Sequence, residues 1–204
     1  MIDLYAAGTS NGMRARIALE ECGLPYTFHP IDLAKGENKT PEYLALNPNG
    51  EIPVIVDSDG PGGGKLTLSQ SLSILVYCAE KSGKFIPTDP AVRPAYSQAL
   101  MSAATDMGPM LGTLFGIARS KEPHQPTLAM FEGRWKNYLK VWDATLGKQR
   151  FAAGGDVTIA DFALYGTVAR ARNVLPKICE GVPNVDRWLG EIGARPAVQK
   201  AMKF

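Results

Sequence analysis

The sequence predicts two domains of different class, an α/β domain over residues 1–83 and an all-α domain over residues 95–204, with a linker at 84–94. Three observations carry that division. Strand-like runs occur only before residue 83; Pro87, Pro90 and Pro94 punctuate the joining segment; and beyond it apolar residues recur with a helical period. A chain of 204 residues is long enough for one domain or two small ones. With 45% apolar and 21% charged residues it is an ordinary globular composition, and a net charge of +2 gives no electrostatic signal for nucleic acid or an anionic membrane. No apolar run approaches the roughly 18 residues of a membrane span, and Met1 leads into Ile-Asp-Leu-Tyr without a charged-then-apolar leader. Cys22, Cys78 and Cys179 are odd in number and far apart, which fits reduced thiols in a cytoplasm better than a disulfide framework. With His29 and His124 as the only histidines, a zinc cluster or a Ser-His-Asp hydrolase is poorly supported.

In the first domain, Ile2 to Ala6 reads as a short apolar strand running into the polar turn Gly8-Thr9-Ser10-Asn11-Gly12. Met13 to Cys22 follows as a helix, with Ile17, Ala18 and Leu19 on its apolar face and Gly23 as its stop. Tyr26 to Leu33 alternates as a strand, Pro41-Glu42 opens a short helix, and Ile52 to Val56 and Lys65 to Leu68 form a hairpin around the loop Asp57 to Gly64, with Gly62-Gly63-Gly64 at its tip. Gln70 to Ser82 is an amphipathic helix ending at Gly83. The order is βαβαββα, an α/β layer on a mixed sheet. In the second domain, a long helix spans Ala95 to Ala118, bent or broken at Gly108-Pro109. Helices follow at Thr127–Leu146, Thr158–Asn173, Val182–Ile192 and Ala197–Met202.

Four motifs stand out. Thr9-Ser10-Asn11-Gly12 lies at a strand's carboxyl end where a helix begins, the place at which α/β sheets bind ligands and helix N-termini favour anions; alternatively it only caps the helix. Ile52-Pro53 opens an otherwise buried strand, where a cis bond would leave the Ile52 backbone free to pair with an extended peptide. Gln70-Ser71 sits at a strand-to-helix junction, either a seat for a carboxylate or a simple cap. Thr158-Ile159-Ala160-Asp161 is a capping box with Asp in place of Glu, and reads as structural.

Together these motifs resemble a cytosolic glutathione transferase over essentially the whole chain. The resemblance rests on Asn47-Pro48 with Ile52-Pro53-Val54, on Gln70-Ser71-Leu72-Ser73-Ile74-Leu75-Val76-Tyr77, and on Thr158-Ile159-Ala160-Asp161. Thr9-Ser10-Asn11-Gly12 and Gly108-Pro109-Met110-Leu111-Gly112 are most similar to the bacterial Nu class, the disulfide-bond reductase type, although Gln70 stands where that class carries Glu. The resemblance implies a thioredoxin-like first domain, a helical second domain, a cytoplasmic homodimer and a role in detoxification. It makes Pro53 the cis-proline and pairs Ile52 with the cysteinyl unit of glutathione. Gln70 and Ser71 take its γ-glutamyl end, and Asn38 and Lys39 fall where the family contacts the glycyl carboxylate. Asp106 approaches the γ-glutamyl amine across the dimer interface, or is an ordinary solvated helix residue.

The chemistry implied is stabilisation of the glutathione thiolate, with glutathione a co-substrate and no metal. Thr9 and Asn11 are the candidate catalytic donors and Ser10 the spare. Tyr5 lies too early to match a catalytic tyrosine, and no cysteine occurs in the turn, so any redox thiol must come from glutathione. The thiolate attacks a disulfide sulfur or an electrophilic carbon, with disulfide reduction favoured and conjugation alongside. The other reading is a transferase-like interaction protein without catalysis. The second substrate is left open, against apolar walls such as Met107, Met110, Leu111 and Phe115.

Overall fold

The computed structural model describes all residues, 1–204, and divides into two compact units: Met1–Ile86 together with Ala194–Phe204, and Pro87–Gly193. The first unit runs β1 (Ile2–Ala6), α1 (Ser10–Cys22), β2 (Tyr26–Pro30), α2 (Pro41–Leu46), β3 (Val54–Asp57), β4 (Leu66–Ser69) and α3 (Ser71–Ser82). This is the predicted βαβαββα order. The strand order is β2-β1-β3-β4; β1 and β2 are parallel, with Ile2 opposite Tyr26, and β3 is antiparallel to both of its neighbours. β2 stops at Pro30, short of the predicted Leu33, because its only neighbour β1 ends opposite it at Ala6, whose carbonyl takes the last rung from the Ile31 amide at 2.9 Å.

Burial explains these boundaries. Leu4 and Ala6 of β1, Val54 and Ile55 of β3, Ala15, Ile17, Ala18 and Leu19 of α1, and Ile74, Leu75, Cys78 and Ala79 of α3 are all sealed from solvent. The two helices α1 and α3 thus bury their apolar stripes together against the sheet. At the rim, Tyr43, Ile52 and Val54 form a cluster with Tyr5, Ala7, Ile31 and Leu46, which anchors the start of β3.

The last eleven residues return to this unit. α9 (Pro196–Ala201) packs on α1, and Arg195 grips Glu21 through two contacts of 2.6 Å while Lys200 reaches Glu20 at 2.9 Å. The Arg16 guanidinium lies 4.6 Å from the Phe28 ring and 5.0 Å from that of Phe204, and donates to the Lys203 carbonyl.

The second unit is helical: α4 (Arg93–Met101), α5 (Gly108–Ala118), α6 (Gln125–Leu146), α7 (Ile159–Val174) and α8 (Pro183–Gly193). The predicted break at Gly108-Pro109 takes the form of a π-helical turn, Ser102–Met107, through which the backbone stays helical from α4 into α5, with Pro109 in the first turn of α5. Trp135, Leu139, Phe162 and Trp188 fill the core. The capping box forms as predicted at the start of α7. Its Asp161 is fully buried and also accepts from the Ala152 amide at 2.8 Å and the Trp188 indole at 2.9 Å, so it ties α7, α8 and the loop between α6 and α7 together. Burial pushes its carboxyl above the usual range, against the opposing pull of those donors. No helix is long and apolar enough to cross a membrane.

Candidate functional site

The carboxyl end of β1 runs into α1 through a tight turn, and Thr9 caps the helix by accepting from the Gly12 amide at 3.2 Å. Its Oγ1 acts there as acceptor, so the hydroxyl proton is left to donate elsewhere. Capping and ligand donation are therefore compatible at this residue. Gly12 is required by close approach: a Cβ on it would lie 2.0 Å from the Ala7 carbonyl oxygen. No acidic side chain occupies the first turn of α1, which leaves its partial positive charge uncompensated.

An open cavity of about 360 Å³ lies beside this turn, lined by Thr9, Asn11, Leu33, Gly36, Asn38, Lys39, Glu51 and Ile52. Five of the sequence-predicted site residues, Thr9, Asn11, Asn38, Lys39 and Ile52, thus line one cleft. The Ile52–Pro53 bond is cis, and Pro53 is buried. The turn before it is built from side chains. Asn47 Nδ2 and Tyr43 Oη both donate to the Glu51 carbonyl, at 2.8 and 2.9 Å. Asn38 Nδ2 donates to the Gly50 carbonyl at 2.7 Å, and Lys39 Nζ to the same carbonyl at 3.0 Å and that of Asn49 at 3.2 Å. Gly50 adopts φ +63°, and a Cβ there would meet Lys39 Nζ at 2.6 Å, so glycine is needed for the lysine to lie along the loop.

Gln70 and Ser71 stand at the start of α3. Gln70 is exposed and holds φ 71°, ψ 113°, a strained backbone for a residue with a Cβ. Ser71, nearly buried, donates from Oγ to Asn11 Oδ1 at 3.3 Å. Asn11 Oδ1 also accepts from Arg14 Nη1 at 3.0 Å, and the same nitrogen lies 3.4 Å from Ser71 Oγ. Arg14, only 3% exposed, escaped the sequence reading because a charged residue inside a helix ordinarily marks its solvated face.

Ser10 is the first residue of α1 and half-buried. Asp106 is half-buried in the π turn of the second unit, as are Met110 and Phe115 in α5, whereas Met107 and Leu111 belong to that unit's core. Tyr5 lies within β1, stacked on His29 with ring centroids 4.6 Å apart. Cys22, Cys78 and Cys179 are buried, free thiols whose pKa values burial pushes up, and none lines the cleft. No group of three His, Cys, Asp or Glu side chains is placed to hold a metal ion.

A four-stranded mixed sheet with a cis-proline at the head of β3, a polar turn after β1 and a following helical unit define the glutathione transferase architecture. The chain belongs to the glutathione S-transferase family: the N-terminal domain model of that family matches residues 10–81 and the C-terminal domain model residues 125–191. Among its relatives, the disulfide-bond oxidoreductase YfcG of Escherichia coli (strain K12) is 34% identical, over 99% of this chain and 94% of its own. The disulfide-bond oxidoreductase YghU of the same organism is 32% identical over 98% of this chain and 73% of its own. A glutathione transferase family member from Pseudomonas fluorescens pf-5, crystallised with two glutathione bound, superposes with a TM-score of 0.91 at 33% identity, covering 99% of this chain and 92% of that one. A glutathione transferase from Pseudomonas putida with one glutathione disulfide per subunit gives the same score and identity over 100% and 91%.

Proposed function

We propose that the chain is a glutathione-dependent enzyme which holds the glutathione thiolate at the β1–α1 turn and directs it at disulfides, with conjugation of electrophilic carbon as a lesser activity. The observation that carries this reading is the convergence of Thr9, Asn11 and Ile52, the residue before the cis-proline, on one cleft at the N-terminus of a helix. Glutathione's thiol has the ordinary cysteine pKa of about 8.5, and lowering it by about two units requires roughly 2.7 kcal/mol of preference for the anion. Hydrogen bonds to a charged acceptor contribute about 1.5–3 kcal/mol each, and the helix terminus adds a further fraction. The Thr9 hydroxyl and the Asn11 amide are sufficient for this.

In this reading the Ile52 backbone pairs with the cysteinyl unit, and Ser71, Gln70 and the start of α3 receive the γ-glutamyl carboxylate. Asn38 and Lys39 face the glycyl carboxylate. Residues 1–83 are the glutathione-binding domain, 84–94 the linker and 95–204 the domain that selects the second substrate, except that its last residues, 194–204, pack with the first unit. The molecule works as a homodimer, in which Asp106 takes the γ-glutamyl amine across the interface. Buried unpaired thiols support a reducing, cytoplasmic setting.

Disulfide reduction balances with glutathione alone. One bound thiolate attacks a sulfur of the disulfide, forming a mixed disulfide and releasing a substrate thiolate that takes up a proton. A second glutathione then attacks the mixed disulfide, releasing the other substrate thiol and glutathione disulfide. The names of the relatives YfcG and YghU support disulfide chemistry over conjugation as the main activity.

Parallel assays with glutathione and a model disulfide, and with glutathione and an aryl halide, test the assignment. A larger kcat/KM with the disulfide is expected, and the reverse ratio would make conjugation the principal reaction. Failure of the protein to bind immobilised glutathione would favour an interaction protein without catalysis.

A further inference from the structure

The proposed thiolate donor Asn11 has an amide whose two ends differ in sense: Nδ2 donates and Oδ1 repels an anion. A terminal amide torsion is broad and roughly two-fold, so something must select the end that meets the sulfur. The buried guanidinium of Arg14 can only donate, and its Nη1 lies 3.0 Å from Asn11 Oδ1. The Ser71 hydroxyl donates to the same oxygen at 3.3 Å. Asn11 itself is exposed and lines the cleft.

We propose that Arg14 is a positioning residue which pins Asn11 Oδ1 inward and thereby presents Nδ2 to the sulfur seat. The inference rests on the glutathione reading above. Its force is greatest with ligand bound, because Ser71 has one hydroxyl proton. Once that proton turns to the γ-glutamyl carboxylate, Arg14 is the donor left on Asn11 Oδ1, and its bond to Ser71 Oγ steadies the rotated hydroxyl. Arg14 thus links the carboxylate seat to the thiolate seat through a three-membered set of hydrogen bonds, without touching the sulfur. Burial lowers the guanidinium pKa to about 10, still well above neutral, so it remains a cation at working pH.

The test is the thiol pKa of bound glutathione, read from thiolate ultraviolet absorbance against pH, together with kcat and KM for glutathione. The wild type is to be compared with Arg14→Met, Arg14→Lys, Asn11→Ala and Asn11→Asp. Arg14→Met is expected to raise the bound thiol pKa by about one unit and, through the smaller thiolate fraction, cut kcat about threefold at neutral pH, with KM changed less than about twofold. Arg14→Lys, which keeps one donor but not the planar fork, restores part of the shift. If Arg14→Met fails to fold, Asn11→Asp decides. An aspartate keeps both inward bonds and exchanges the outward N–H for an oxygen, so its thiol pKa must exceed that of Asn11→Ala. An unaltered pH profile in Arg14→Met, or an Asn11→Asp value no higher than Asn11→Ala, overturns the positioning role. A wild type that binds glutathione without lowering its thiol pKa overturns the functional reading, and the role of Arg14 with it; the wild-type titration separates the two failures.

Discussion

Two helices in this chain begin in the same way and end in opposite chemistry. α1 and α7 each open on a threonine cap, Thr9 and Thr158. At the third helical position α7 carries Asp161, which turns back to the Thr158 amide at 2.9 Å and closes the terminus on itself. The matching position of α1 is Gly12, where any Cβ would collide with the Ala7 carbonyl. α1 therefore cannot close itself, and its donors open onto a cleft. A helix start becomes structural or functional according to whether its own third residue consumes the positive end.

The largest effect expected from disturbing this contrast is on α7. Asp161→Ala removes a buried carboxylate and strands the Trp188 indole and the Ala152 amide, at a cost of about 3–5 kcal/mol in folding. Thermal or urea unfolding measures it, and a loss below about 1 kcal/mol would contradict the tie between the helices. Next is Gly12→Ala, which forces a side chain against backbone and is expected to cost about 3 kcal/mol, with the cleft distorted as well. A variant as stable as the wild type would show that the turn can relax. Changing both Thr9 and Asn11 to Ala should leave folding weakened by only about 1 kcal/mol, the value of a lost cap. It should also return the bound thiol to its free pKa, a change worth roughly 2.7 kcal/mol in thiolate preference, and a pH–rate profile identical to the wild type would remove both residues from the mechanism.

Smaller effects are expected at α3, the second helix start on the cleft side of the unit. Ser71→Ala should weaken glutathione binding by about 1–3 kcal/mol in calorimetry, and an unchanged dissociation constant would take the carboxylate away from Ser71. Gln70→Gly should relieve the positive φ and stabilise the fold by about 1 kcal/mol while weakening glutathione binding. Stabilisation without any loss of affinity would make the strained backbone incidental to the site.

Much of the fold was legible because it is written in local pattern: alternation in β1 and β3, helical period in α6, Gly23 and Gly83 as stops, and Thr158 and Asp161 as a start. What the pattern omits is long-range. The second duty of Asp161 depends on Trp188, 27 residues away. Arg14 reads as a solvated helix residue until Ser71, 57 residues on, is folded against it. Nothing about glutamine as a residue type announces a positive φ at position 70. Thr9 and Asn11 were visible as a polar turn in the right place, but periodicity alone could not separate a cap from a ligand donor. In the structure the two roles are compatible: the cap uses the oxygen of Thr9 and leaves its proton.

The return of residues 194–204 to the first unit has a consequence for the order of events during synthesis. Glu20 and Glu21 leave the ribosome early, yet their partners Lys200 and Arg195 emerge only after the whole helical unit has been made. Until then α1 carries an uncovered flank, so the cleft-bearing half of the molecule starts folding first and is completed last.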